Sequence, residues 1–149
     1  MGTLSEIDSV LPPDAGMNCV GYRVRMLSRV ITGIYDEALA PLKLKGSQFN
    51  LLDVVSRKGS SAPSELYRLT RMDKSTASRN LERMRRRGWL SIEAPSEGRG
   101  QIVSITAKGS RILRAAYPLW KQAQKEAMRR LGPDGFRALQ VVIRSVNGE

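Results

Sequence analysis

A chain of 149 residues with 25 Lys and Arg against 14 Asp and Glu carries a formal charge of +11, a balance that points to an anionic partner, nucleic acid foremost. It holds no histidine and one cysteine, Cys19, so it lacks the residue types that usually build zinc sites, neutral-pH general bases and internal disulfides. With 41% hydrophobic residues, no apolar run approaching the ~20 residues of a membrane span and no basic-then-apolar leader, the expectation is one soluble, cytoplasmic domain that is not an enzyme and needs no metal or cofactor.

Residues 1–16 include Pro12, Pro13 and Gly16 without a sustained period and read as a flexible arm. From Val20 onward, Val24, Leu27, Ile31, Ile34 and Ala38 recur every three or four residues, one stripe of a first helix that Pro41 ends. Ser47 is a candidate N-cap for a shorter helix bearing Phe49, Leu52 and Val55, closed by Gly59. Ser60 and Ser61 lead to Pro63, which suits the first turn of a third helix with Leu66 and Leu69 inward.

Met72 and Asp73 mark a tight turn, and Asp73 is the best N-cap in the chain, placed to accept the free N–H of Ser75 or Thr76. The helix it opens, over 74–87, stops at Gly88; residues 89–92 and 101–105 read as strands around a hairpin tip at 94–100. Thr106 can cap a fifth helix with Ile112, Ala116, Leu119 and Ala123 inward and Pro118 kinking it. Gly132 and Pro133 then separate a sixth helix bearing Phe136, Leu139, Val142 or Ile143, and Val146.

On a helical wheel of about 100° per residue, the fourth helix divides into an apolar side, Ala77, Leu81 and Met84, and a polar side with Ser75, Arg79, Arg83 and Arg86. Such a helix, after a short helix and a tight turn, fits a major groove. Lys74, Ser75, Thr76, Ser78 and Arg79 lie at its groove-entering end, while Arg83, Arg85, Arg86 and Arg87 are suited to phosphates or to acids such as Glu82. Between Gly98 and Gly100, Arg99 has the small neighbours that let a guanidinium enter a minor groove.

The wing pattern Glu97, Arg99, Ile105, Thr106, Gly109 and the stretch MDKSTASRNLERMRRRGWL over 72–90 resemble the MarR family of bacterial transcription regulators. Glu97 stands where that family commonly has Asp, and its longer arm alters the ion pairing that sets the wing's angle. The resemblance implies a mainly α winged helix-turn-helix fold with six helices and a small two- or three-stranded antiparallel wing. It places one domain over 17–149, with dimerisation helices at 17–40 and 106–149 around a DNA-binding lobe at 47–105.

It further implies a homodimer on double-stranded DNA, binding a pseudo-palindromic operator, more often as repressor than activator. Independently, Val20, Leu27, Leu119, Phe136, Leu139 and Val146 offer more apolar helix surface at the two ends than one small domain can bury. Family members often release DNA on binding a small aromatic or anionic effector; Tyr22, Arg25, Met26, Arg29, Tyr117 and Trp120 are the candidates to line such a site. Cys19, four residues before Arg23, invites comparison with the peroxide-sensing branch. The competing reading is a winged-helix module for RNA or an acidic protein partner.

Overall fold

The computed structural model describes residues 18–148; the arm read over 1–16 lies outside the described residues. Its elements run α1 (Val20–Leu39), a 3-10 turn (Ala40–Leu42), α2 (Gly46–Lys58), β1 (Ser60–Ser61), α3 (Pro63–Thr70), α4 (Lys74–Arg86), β2 (Leu90–Glu93), β3 (Ile102–Ile105) and α5 (Ala107–Asn147). Two compact units divide α1 after Gly33. In the first, Val20, Tyr22, Val24, Met26 and Val30 are exposed along the opening turns of α1. None of the described helices is long and apolar enough to cross a membrane.

The second unit is built on a core of Leu39, Leu44, Leu51, Leu52, Leu66 and Met84, closed by Trp89, Leu90 and Val103. Burial of each large side chain contributes roughly 1.5–3 kcal/mol relative to exposure. β3 is the centre of an antiparallel three-stranded sheet in the order β1-β3-β2, pairing Leu90 with Ile105 and Glu93 with Ile102 on one side and Ser60 with Ser104 on the other. The serines expected to be a plain link are thus a strand, held down by Ser61 Oγ donating to Glu65 Oε2 (2.6 Å) while Lys58 pairs with Oε1 of the same carboxylate (2.6 Å).

Further expectations are corrected. Ser47 is not the cap of α2: that position is the extended Lys45, whose N–H donates to Gln48 Oε1 (3.1 Å), while the Gly46 N–H donates to Asp36 Oδ1 (2.8 Å). The free amides are satisfied by residues three and ten positions away, so no serine is needed. Leu69 is 45% exposed, because α3 is only eight residues long and Leu66 alone makes its buried contact; Leu69 faces an open recess with Arg68, Arg71 and Asp73.

There are five helices among the described residues, not six. Gly132 adopts φ 67, ψ 168 and helix resumes at once, so the interruption is one residue inside α5. A lone glycine supplies the positive φ and Pro133 fits the first turn of the resumed helix, so no loop forms. Pro118, the residue expected to kink this helix, keeps helical angles; Gly132 alone departs from them.

Candidate nucleic-acid interface

α3 ends at Arg71, held in the left-handed region (φ 53), and the chain turns through Met72 to Asp73, which has extended angles and caps α4. Asp73 Oδ1 accepts the Thr76 N–H at 2.9 Å. Hydrogen bonding from Thr76, side chain first and then amide, holds the Asp73 carboxyl below the usual carboxylate range. The cap leaves the other N-terminal amides of α4 and its positive dipole end facing outward, the arrangement that favours an approaching phosphate.

Ala77, Leu81 and Met84 are buried, fixing the rotation of α4, so that Lys74, Ser75, Ser78, Arg79, Arg83 and Arg86 stand exposed and Thr76 half-buried. Asn80 is the buried polar residue of this face, its Nδ2 donating to Ser47 Oγ at 3.5 Å. Arg79 reaches back to Thr76 Oγ1 (3.4 Å). Arg83 has no carboxylate within pairing distance among the described residues.

The arginines beyond it are already engaged. Glu82 accepts two hydrogen bonds from Arg85 and one from Arg86, each at 2.8 Å. Arg85 first and Arg86 second pull its carboxyl down to about 2. Arg87 turns away: its guanidinium donates to the Lys43 carbonyl and lies 4.8 Å from the centre of the Trp89 ring. Sequence reading grouped Arg87 with arginines suited to phosphates or acids; its hydrogen-bond partner is a carbonyl 44 residues away, which no local spacing signals.

The Glu82 clamp gives a direct expectation. With glutamine at this position both arginines are released, and the slope of log affinity against log salt for duplex DNA steepens by about 0.9 for each added phosphate contact, measurable by fluorescence anisotropy. A carboxyl held at about 2 against an ordinary 4.5 gives its full folded-state advantage above the unfolded value, and that advantage is lost progressively as pH falls from about 4.5 through about 2. Carbon NMR of the Glu82 carboxyl should therefore show a midpoint near 2, far below the ordinary 4.5; an ordinary midpoint would mean that the clamp does not form in solution.

The hairpin tip carries Gly98 at φ 89 and Gly100 at φ 115, with Arg99 exposed between them. Among the described residues neither Arg99 nor Glu97 has an ion-pair partner, so the pairing expected of Glu97 is not made. At the other end of the hairpin, Thr106 caps α5 by accepting the Gly109 N–H (3.0 Å), donates its hydroxyl to the Gly88 carbonyl (2.6 Å) and gives its own N–H to the Trp89 carbonyl (3.1 Å). Gly109 permits that closure: a Cβ there would lie 2.0 Å from the Trp89 carbonyl oxygen. The Thr106 and Gly109 spacing thus ties the end of α4, the base of the wing and the start of α5 together.

Of the candidate effector residues, Tyr22, Arg25, Met26 and Arg29 are exposed on the unit ending at Gly33. In the other unit, half-buried Trp120 stacks between Phe49 (5.9 Å) and exposed Tyr117 (6.0 Å). Cys19 is exposed just ahead of α1; Arg23 gives its backbone N–H to the Cys19 carbonyl (3.1 Å) and its guanidinium to Asn18 Oδ1 (3.2 Å).

The MarR family model matches residues 42–100, from the end of the 3-10 turn through the wing tip. The chain is 25% identical over 129 residues to the multiple antibiotic resistance protein MarR of Escherichia coli K12, covering 85% of this chain and 90% of that protein. It is 33% identical to the Mycobacterium tuberculosis transcriptional regulator MosR solved in complex with DNA, with a TM-score of 0.74 over 87% of this chain and 97% of that one. Bordetella bronchiseptica BpsR, solved to explain regulation of its DNA binding by 6-hydroxynicotinic acid, shares the fold at a TM-score of 0.78 and 20% identity, over 95% of this chain and all of that one. With the capped helix, the glycine-flanked wing arginine and these relatives together, the chain belongs to the MarR family of winged-helix, DNA-binding transcription regulators.

Proposed function

We propose that the protein acts as a homodimer on a pseudo-palindromic operator, represses transcription from it, and releases it when a small molecule binds. The observation that carries the reading is the division of labour on α4 and the wing. Ser75, Arg79 and Arg83 are exposed, with no acid paired to either arginine among the described residues, while Arg85 and Arg86 share the single carboxylate of Glu82 and Arg87 is turned onto the Lys43 carbonyl. Ser75, Thr76, Ser78 and Arg79 read bases, Lys74 and Arg83 meet phosphates, Arg86 adds to them when freed from Glu82, and Arg99 enters the minor groove.

Dimerisation is supported by apolar surface that a lone chain leaves in water: Val141, Val142, Ile143 and Val146 on the last turns of α5, and Val20, Val24 and Val30 on the first turns of α1. The regulation of BpsR by 6-hydroxynicotinic acid supports release by a small aromatic acid, for which the stacked Phe49 and Trp120 are the aromatic wall on this chain.

Selection of bound duplexes from a random pool tests the whole reading. It should return an inverted repeat whose half-sites lie about 34 Å apart, one turn of duplex, and gel shifts should require both halves. Recovery of an asymmetric single site bound tightly by monomer, or of no preferred sequence, would contradict it.

A further inference from the structure

Outside the groove-reading surface, α5 concentrates charge: residues 107–131 hold seven Lys and Arg and a single acid, Glu126. Arg129 and Arg130 occupy that acid at 2.8 and 2.7 Å. Arg111, Arg114, Lys121 and Lys125 are all exposed and have no carboxylate within pairing distance among the described residues. Together with exposed Pro118 they occupy positions three, four, three and four apart, the spacing of one straight seam along a helix, about 21 Å long at 1.5 Å per residue.

Apart from the contact of Lys121 with Tyr117, the fold gains nothing from the charges of this seam. The first turn of α5 has no acidic residue, and Lys108 and Arg111 oppose the positive end of the helix dipole. Lys121 and Lys125 repel one another at a four-residue spacing. The seam also carries an aromatic: Tyr117 is 54% exposed and lies 5.8 Å from Lys121 Nζ. Beside it a recess of about 370 Å3 is lined by Phe49, Asp53, Leu113, Arg114 and Tyr117, and its one acid, Asp53, is already paired with Arg57 at 2.9 Å.

An operator bound through Arg99 is not the partner this seam faces. α5 starts from the Leu90 and Ile105 end of the hairpin, whereas the tip lies beyond the Glu93 and Ile102 pair, about 10 Å further on at the rise of a strand. A second copy of the same seam is excluded by like charge. A tyrosine and an arginine bordering a recess, set in a line of cations with helical spacing, match the anchors of a protein interface and the register of an acidic helix.

We propose that the α5 seam of Arg111, Arg114, Lys121 and Lys125, with Tyr117 at its centre, is a docking surface for an acidic amphipathic helix of a protein partner. The probe is a labelled synthetic helix with glutamates at heptad spacing and one central leucine, compared with an equally charged peptide broken by prolines. Both are titrated into the full chain, alone and saturated with its selected duplex. The helical probe should bind more than about tenfold tighter than the broken one, a preference set by matched charge and register.

Its binding should survive saturation with duplex and the Arg83→Ala change. Lys121→Glu with Lys125→Glu should remove it, and Lys121→Gln with Lys125→Gln should weaken it, with duplex binding retained in both as proof of folding. Equal binding of the two peptides, displacement by duplex, or indifference to the seam substitutions overturns the proposal. Tighter, seam-dependent binding of non-selected duplex than of peptide would overturn it too, by making the seam a nucleic-acid surface. Duplex selection from a random pool can fail without touching this result, because the peptide titration of the free chain does not use an operator.

Discussion

Replacing Gly109 with alanine is expected to destabilise the fold by about 3 kcal/mol or more, a drop of roughly 6–12 °C in the unfolding midpoint for a domain of this size. Two effects of opposite sign compete. Alanine is better than glycine inside a helix by about 1 kcal/mol, and Gly109 sits in the first turn of α5. Against this, the new Cβ would stand 2.0 Å from the Trp89 carbonyl oxygen and 2.9 Å from Ile105 Cγ1. The first obstacle is backbone, held in place by the Thr106 N–H, and cannot rotate aside. Relief requires α5 to move off the wing base, breaking the Thr106 bonds to Gly88 and Trp89. Thermal melting followed by circular dichroism checks it, and an unchanged or raised midpoint would show that α5 does not approach Trp89 this closely.

The second large effect concerns DNA. An arginine that reads one base pair is worth about 1–3 kcal/mol of discrimination. In a two-fold complex each chain loses it, so Arg79→Ala should cost about 2–6 kcal/mol, roughly 30-fold to 10^4-fold in affinity for the selected duplex. Little of that loss should appear on non-selected DNA. Arg79 makes no ion pair within the chain among the described residues, only the 3.4 Å contact with Thr76 Oγ1, so its removal leaves no buried charge behind. Arg86→Ala is the contrasting case: its guanidinium is held by Glu82, and its loss should leave sequence preference intact. Competition binding on single-base variants of the selected site separates the two. Equal loss on selected and random duplex in the Arg79 variant would assign that arginine to phosphates.

The parts of the molecule legible in the sequence are those whose cause is local. Asp73 three residues before Thr76, Thr106 three before Gly109, and the buried side of Ala77, Leu81 and Met84 all emerged where spacing placed them. The misreadings share a different origin. The cap of α2 is completed by Asp36, ten residues back in the chain; β1 exists because β3 offers it a partner; Leu69 is exposed because of how far α3 extends, not of its own pattern.

At the candidate interface the same boundary runs through a single arginine-rich stretch. The Glu82 contacts with Arg85 and Arg86 are three- and four-residue helix pairs, open to inspection in the sequence. The turn of Arg87 toward Lys43 depends on a tertiary approach that no spacing encodes. The reason for Gly109 was hidden likewise, since its obstacle is the backbone of Trp89.

β1 extends the sheet of the wing back to the connection between α2 and α3, and Glu65 of α3 fastens it there. The hairpin is therefore tied at its base to the lobe that carries α4, and on the proposed reading the two would act as the jaws of a gauge. If α4 and Arg99 meet the duplex as proposed, the distance between their contacts is largely set before the duplex arrives. One base pair added between those two points displaces them by about 3.4 Å, and the burden of fitting falls on the DNA, whose groove width and local stiffness then become part of what is recognised.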